Sequence, residues 1–259
     1  MVTNKSEGKS DISLAEWALV DEFREGKFKN LDFPRIARED FGLNGIEFVN
    51  TLFEVPTLEY LRTLKQRAND YEISMLLIMV DDEGDGCAPD KEERKQFVTH
   101  HRKWVDIAHY LGCHAIRTNC RGPQTVNKQD ALEWAAESYN MLLEYSKSSG
   151  ISIVIENHGG ISDDADLMLA LMKEVDNPDF GAYPDWRNPH REYDNFVYLQ
   201  KMLPYAKGMS YRNQPTEALT RKMIELCQES GYRGWYGIES RGREEIRKGI
   251  SLLKEYGIS

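Results

Sequence analysis

The chain has 259 residues, of which 41% are hydrophobic and 29% are charged. This length and composition are typical of a globular protein with one large domain or two small ones, and they exclude a small module held together by disulfides. The 33 Lys and Arg residues against 43 Asp and Glu residues give a formal net charge of -10. That excess of negative charge disfavours nucleic acid and anionic membrane surfaces as partners.

The cysteines and the first residues bear on the cellular compartment. Cys87, Cys113, Cys120 and Cys227 form no CxxC pair, so we expect free thiols in a reducing compartment and no structural zinc site. Residues 1–10 lack the apolar segment of a signal peptide, and no run approaches the roughly 18 apolar residues that span a bilayer. We therefore expect a cytoplasmic protein if Met1 is the native start.

A short apolar segment followed by an amphipathic helical segment occurs eight times after a tail at residues 1–12, which we expect to be mobile. Several apolar segments, such as residues 75–80, are apolar throughout, as parallel strands covered on both faces should be. The predicted strands are residues 13–19, 45–50, 74–80, 115–119, 151–156, 181–185, 207–211 and 235–239.

Eight such units, about 32 residues each, match the size of a (β/α)8 barrel, which has about 250 residues. A doubly wound open sheet is the main alternative, but no GxGxxG or GxxxxGK[ST] motif follows any predicted strand. No linker rich in Pro, Gly or Ser divides the chain. We therefore predict an α/β fold, a single-domain TIM barrel whose catalytic domain covers residues 13–259.

Acidic side chains stand where three predicted strands end, and in a TIM barrel the carboxyl ends of all strands open into one pocket. Glu156 ends the fifth strand, Asp185 the sixth and Glu239 the eighth. By strand alternation, Glu156 shares its face with Val154 and not with Ile155. Each acid alone could equally cap the following helix. Three carboxylates in one pocket repel one another unless a cation neutralises them, so the pattern predicts a divalent metal.

Three segments carry a resemblance to a known family: residues 155–160 (IENHGG), 185–188 (DWRN) and 231–239 (GYRGWYGIE). They resemble the xylose-isomerase-like TIM barrels, the family of sugar phosphate isomerases and epimerases, which also includes ketose 3-epimerases, inosose dehydratases and endonuclease IV. The likeness extends over essentially the whole chain from about Ser13. It implies a TIM barrel that acts as a metal-dependent enzyme of carbohydrate metabolism.

The resemblance also implies roles for individual residues. Glu156, Asp185 and Glu239 correspond to metal ligands, and the two glutamates also to the proton-transferring pair. The family's fourth ligand is usually a His at the end of strand seven, where this chain has Ser210, a doubtful ligand. An oxygen-only ligand set favours Mg²⁺ or Mn²⁺ over Zn²⁺. A family lysine near that strand end is replaced by Arg212, which keeps the charge and offers a planar fork to a carboxylate, phosphate or vicinal hydroxyls.

This ligand set predicts an isomerase or epimerase acting on a small carbohydrate. The metal would stabilise an enediolate while one glutamate removes a proton and the other returns it. Return to the same carbon gives epimerisation, return to the neighbouring carbon gives isomerisation, and loss of a β-hydroxyl gives dehydration. The candidates for substrate binding are Glu47, Asn119, His158, Trp186 and Arg212.

Several of these positions have a structural alternative. His158 could support a neighbouring residue by a hydrogen bond, and Trp186 could pack in the core. Arg117, at the end of the fourth strand, could pair with a neighbouring acid inside the barrel. We expect residues 81–86 to form a flexible loop over the pocket mouth.

Three rival functions fit part of the pattern. The strongest is a barrel that binds a sugar or sugar acid without turnover, because Ser210 leaves the metal site degenerate. A glycosidase also uses two glutamates, but the third carboxylate, Asp185, favours a metal. An abasic-site endonuclease shares the fold, but the chain has only six His for a His-rich zinc site. The sequence leaves open whether the substrate is phosphorylated; association into a homo-oligomer is an analogy with other barrels.

Overall fold

The computed structural model describes residues 11–123, 125–186 and 195–259, and within them eight parallel strands form a nearly closed barrel. Neighbouring strands pair in the order β6-β5-β4-β3-β2-β1-β8-β7. The strands are β1 (Asp11–Ala15), β2 (Gly45–Val49), β3 (Ser74–Met79), β4 (Ala115–Thr118), β5 (Ser152–Ile155), β6 (Phe180–Ala182), β7 (Met209–Tyr211) and β8 (Trp235–Ile238).

Helices between the strands cover the outside of the barrel. The α-helices are α1 (Val20–Arg24), α2 (Phe33–Phe41), α3 (Leu58–Asp70), α4 (Lys91–Leu111), α5 (Lys128–Ser146), α6 (Ala165–Val175), α7 (Asn195–Met202), α8 (Glu217–Glu229) and α9 (Arg243–Glu255). Short 3-10 helices occupy Glu16–Leu19, Asn30–Asp32, Asn50–Leu52, Gly160–Asp163 and Leu203–Tyr205. Side chains of Asp90, Asn127 and Asp164 accept backbone N–H groups at the starts of α4, α5 and α6, which satisfies donors that a helix leaves unpaired.

The predicted TIM barrel is confirmed, and each predicted strand overlaps an observed one. The first differs most: the strand is Asp11–Ala15, and a 3-10 helix, Glu16–Leu19, replaces the predicted end. Residues 11–14 pair with β8, so the first two of them belong to the barrel and not to the expected tail. The rest of that tail, residues 1–10, lies outside the described residues.

Strand side chains alternate between two apolar layers. Val154 belongs to the layer inside the barrel, with Ala15 from β1 and Met79 from β3. Its neighbours Ile153 and Ile155 belong to the larger layer between the strands and the helices. The alternation predicted for β5 is therefore observed, and it directs the side chain at position 156 towards the barrel axis.

The barrel closes between β6 and β7 through isolated residue pairs. Within the described ranges, Ala182 bridges to Ala206 and Asp185 to Ser210. The backbone N–H of Trp186 donates to the oxygen of Ser210 at 3.0 Å, and the N–H of Ser210 donates to the oxygen of Pro184 at 3.0 Å. The seam is thus held mainly at the end of the barrel where the strand-end acids lie.

The four cysteines are buried and free, as expected. Among the helices that the structure describes, none combines the length and the apolar character needed to cross a membrane.

A pair of glycine substitutions tests how tightly the loop after β5 is packed. Gly160 has a φ of 58°, and a Cβ there would lie 1.6 Å from the backbone oxygen of Arg121. Gly150 has a similar φ of 66° but no atom within 4 Å of its Cβ position. We expect Gly150→Ala to lower the free energy of unfolding by about 1 kcal/mol through backbone strain alone. Gly160→Ala should lower it by about 3 kcal/mol or more, because backbone must also move. Urea unfolding measures both, and equal losses would contradict this packing.

Candidate active site

A cavity of about 1150 Å³ opens at the carboxyl ends of the strands. Its lining includes the three predicted acids: Glu156 directly after β5, Asp185 after β6 and Glu239 directly after β8. Five arginines line it as well, and two of them lie at strand ends, Arg117 on β4 and Arg212 directly after β7. The structure therefore brings the three predicted acids to one cavity, together with positive charges.

Arg212 lies between two of the acids. Its Nε donates to Oδ1 of Asp185 at 2.9 Å, and its Nη2 donates to Oε1 of Glu239. Its Nη1 donates to the backbone oxygen of Glu239 at 3.2 Å. Burial acts to lower the pKa of Arg212, but the charges of Glu239 and Asp185 outweigh it and raise that pKa above its ordinary value. The guanidinium therefore stays charged and neutralises the repulsion between the two acids.

Arg117 holds the third acid. Its Nε lies 2.8 Å from Oε2 of Glu156, and both side chains are 2% exposed. Its Nη1 donates to Oδ1 of Asp81 at 2.6 Å, and Nδ2 of Asn119 donates to the same oxygen at 2.8 Å. Burial acts to raise the pKa of Asp81, but Arg117 and Asn119 outweigh it and hold the pKa well below its usual range. Asp81 is therefore ionised at neutral pH and shares the charge of Arg117 with Glu156.

The pKa of Glu239 is subject to opposing influences. Burial is the largest influence and raises its pKa above the ordinary value. The negative charge of Glu156 adds to that rise, whereas Arg212 and the hydroxyl of Ser210, which donates to Oε2 of Glu239, oppose it. Together these influences leave the pKa of Glu239 above its ordinary value.

Comparison with known proteins identifies the family. The profile described as xylose isomerase-like TIM barrel matches residues 35–256. The chain belongs to this family. The resemblance inferred from the motifs at residues 155–160, 185–188 and 231–239 is therefore confirmed.

Solved structures share the fold of this xylose isomerase-like barrel. A xylose isomerase domain protein from Planctomyces limnophilus is 15% identical, with a TM-score of 0.75 over 96% of this chain and 97% of that chain. D-psicose 3-epimerase from Clostridium cellulolyticum H10 is 14% identical, with a TM-score of 0.75 over 96% and 100%. The 3-keto-D-glucoside 4-epimerase from E. coli is 12% identical, with a TM-score of 0.77 over 95% and 100%. A search of curated proteins finds no significant match.

The divalent metal implied by the family resemblance does not fit these residues as they are placed. Each of the three acids contacts a guanidinium, and the fourth position holds the hydroxyl of Ser210 instead of an imidazole. In the described ranges, no group of three or more His, Cys, Asp or Glu side chains is arranged so that it could hold a metal ion. A guanidinium and a metal ion cannot occupy one position between the same oxygens. The arginines supply the positive charge here.

Two of the candidates for substrate binding line the cavity, His158 and Arg212. Nδ1 of His158 lies 2.6 Å from Nη2 of Arg121, and the Nε of that arginine donates to the backbone oxygen of His158 at 2.9 Å. Arg121 also lines the cavity. The hydrogen-bonding role considered for His158 is thus observed, in the wall of the cavity itself.

The other three candidates are buried at positions away from the cavity lining. Asn119 contacts Asp81, as described above. Trp186 is fully buried, packs against the rings of Tyr211 and Tyr236, and occupies the core as its structural alternative proposed. Arg187 and Asn188, which complete the DWRN motif, lie outside the described residues.

Glu47 is buried inside the barrel. Its carboxylate accepts hydrogen bonds from the hydroxyls of Ser13 and Tyr183, and the side chain is 1% exposed. Burial is the main cause that raises the pKa of Glu47 to about 7. Glu47 is therefore part of the packed interior of the barrel and does not line the cavity.

Asp81 is a site residue that the sequence reasoning missed, because it treated residues 81–86 as a flexible loop. Its backbone N–H donates to Oδ1 of Asn50, and Nδ2 of Asn50 donates to its backbone oxygen, both at 2.8 Å. These bonds fix the residue beside Arg117. Its position in the sequence could have identified it. Asp81 lies two residues after the end of β3, much as Asp185 and Glu239 lie just after the ends of β6 and β8.

Removing the buried guanidinium of Arg117 should cost much stability. Arg117→Met leaves Asp81 and Glu156 without their shared cation, and we expect the free energy of unfolding to fall by about 3 to 5 kcal/mol at neutral pH. The control is Arg221→Met, which breaks the exposed pairs with Glu217 and Glu255 and should cost about 1 kcal/mol or less. Urea unfolding compares the two. Similar losses for both variants would show that Arg117 does not carry the buried charge balance.

The raised pKa of Glu47 predicts a pH dependence of stability. Between 4.5, its ordinary pKa, and about 7, the unfolded chain has released the proton that the folded protein retains. The free energy of unfolding should therefore fall as pH rises through this window, by at most about 3 kcal/mol from this group. Glu47→Gln, which stays neutral, should lose that part of the slope. Urea unfolding of both proteins at about pH 5 and about pH 8 tests this, and parallel slopes would contradict the assignment.

Proposed function

We propose that the chain is a carbohydrate isomerase or epimerase that removes and returns a proton on the carbon beside a sugar carbonyl. The observation that carries the proposal is the position of two glutamates, Glu156 after β5 and Glu239 after β8, on the wall of one cavity. The two strands are three positions apart around an eight-stranded barrel, so the glutamates can approach a bound sugar from different sides. That arrangement suits proton removal at one face and return at another.

The relatives support the substrate class. Two of the solved structures with this fold are, by name, a D-psicose 3-epimerase studied with D-tagatose and a 3-keto-D-glucoside 4-epimerase. The cavity of about 1150 Å³ is large enough for a ligand of that size. We therefore assign a small keto sugar, or a sugar phosphate or inosose, as the substrate class.

The proposed reaction uses the charges present in the cavity. Glu156 and Glu239 form the proton-transferring pair, in which one glutamate removes the proton and the other returns it. Removal of the proton leaves negative charge on the carbonyl oxygen, and the nearby guanidiniums of Arg117 and Arg212 favour that charge. Return of the proton to the same carbon gives an epimer, and return to the neighbouring carbon gives an isomer. Loss of a β-hydroxyl from the same intermediate gives dehydration.

The second candidate function is a barrel that binds a sugar without turnover. The observation that favours it is the ion pairing of both glutamates, because a carboxylate held by a guanidinium is a weaker base than a free one. The two candidates differ in one measurable property, exchange of a carbon-bound proton with solvent.

Proton exchange in D₂O tests the proposal. The protein is incubated with a panel of ketoses, inososes and phosphorylated ketoses, and deuterium at the carbon beside the carbonyl is followed by NMR. We expect exchange with at least one member of the panel, and a loss of about 10²- to 10⁴-fold in Glu156→Gln and in Glu239→Gln. The control is Glu137→Gln on α5, which removes a carboxylate paired with Arg94 on the outside of the barrel.

Each result decides between the candidates. Exchange that survives both substitutions would contradict the roles of the two glutamates. Saturable binding of a sugar, measured by calorimetry, without exchange of any proton would contradict the enzyme and support the binding barrel.

A further inference from the structure

The guanidinium of Arg212 has donors to spare after it has bound the two acids. An arginine carries five N–H groups. One on Nε donates to Asp185, one on Nη2 to the carboxylate of Glu239 and one on Nη1 to the backbone oxygen of Glu239. Against the residues that the structure describes, this leaves one N–H on each Nη atom. The side chain is 21% exposed and lines the cavity, so a ligand can reach these donors.

We propose that Arg212 is the resident cation of this site: its guanidinium occupies the place between Asp185 and Glu239 that the family resemblance gives to a divalent metal, and it binds ligand oxygens there itself. A positive group in contact with both acids repels a second cation and also takes up the oxygens that would coordinate it. The site then binds an oxygen-rich ligand without a metal.

Ser210 fits this replacement. The family's imidazole would be a fourth metal ligand, whereas a hydroxyl is a poor one. In this chain the hydroxyl donates to Oε2 of Glu239, while Arg212 donates to Oε1 of the same carboxylate. Both carboxylate oxygens of Glu239 are therefore engaged. The two differences from the family pattern, at positions 210 and 212, act on the same side chain.

Arg117 provides a positive charge for the acid that Arg212 does not contact. The third acid that the resemblance assigns to the metal, Glu156, lies 2.8 Å from Nε of Arg117, so it too faces a fixed positive charge. All three acids thus contact a positive charge that the chain itself supplies. The part of the proposal that concerns a reacting sugar oxygen on Arg212 rests on the proposed function, whereas the exclusion of the metal does not.

Manganese binding tests the proposal directly. Chelator-treated protein is titrated with Mn²⁺, free Mn²⁺ is followed by electron paramagnetic resonance, and thermal unfolding is recorded with and without the ion. We expect no saturable binding and no change in unfolding temperature for the native sequence. Arg212→Ala should gain a saturable site that the native protein lacks, because Asp185 and Glu239 lose their cation. Bound Mn²⁺ should also raise the unfolding temperature of this variant.

Two further variants sharpen the comparison. Arg241→Ala is the matched control, since Arg241 lines the cavity but has its ion pair with Asp21, and it should bind no Mn²⁺. Adding Ser210→His to Arg212→Ala should tighten the new site further, because imidazole is a better ligand than a hydroxyl. Arg212→Gln, which keeps more of the side-chain volume, serves as a second variant with the same expected gain if Arg212→Ala does not fold.

Two outcomes of these titrations would contradict the proposal. Stoichiometric Mn²⁺ binding by the native protein that is lost in Glu239→Gln would overturn the proposal. Absence of binding in the folded Arg212 variants would overturn it as well, because Arg212 would then not be what excludes the metal. None of these measurements uses a sugar, so their result does not depend on whether proton exchange is found. Likewise, the exchange experiment can be interpreted even if the native protein binds Mn²⁺.

Discussion

The structure depends on placing four acids at one end of the barrel so that each contacts a positive charge. Moving a carboxylate from water into a protein interior costs several kcal/mol unless a partner of opposite charge is at hand. Two arginines are shared among the four acids. Arg117 contacts Asp81 and Glu156, and Arg212 contacts Asp185 and Glu239. The cavity is polar and charged, yet its walls are held in fixed positions because each acid is bound to a side chain from another strand.

The same residues also close the barrel. Asp185 and Ser210 form one of the two bridges across the seam between β6 and β7, and the backbone of Asp185 exchanges hydrogen bonds with the side chain of Asn157. One residue therefore serves both the fold and the site, since displacing Asp185 would break one bridge of the seam and release Arg212. This coupling accounts for the position of the acids at strand ends rather than on longer loops, where the seam would not fix them.

Sequence patterns predict the barrel well because apolar strands and alternation are local properties. They place Glu156 on the inner face with Val154 and bring it to one cavity with Asp185 and Glu239. Sequence patterns predict poorly which side chains contact one another. Strand alternation gives the face on which a side chain lies but not its position along the barrel axis. Glu47 also lies inside the barrel, yet it does not line the cavity and instead accepts a hydrogen bond from Tyr183. The limits of β1 likewise follow from its register against β8, which no local pattern contains.

An arginine in place of a metal changes what the site can do. A guanidinium is covalently held, stays charged at every physiological pH and does not depend on metal supply, but its single delocalised charge polarises a carbonyl less than a divalent ion does. Proton removal at such a site therefore needs a carbon whose substituents already make its hydrogen acidic, as a second carbonyl or carboxyl group does. The charge pattern around Arg212 thus favours oxidised sugars over simple ketoses within the proposed substrate class, and it gives the exchange experiment an order in which to try them.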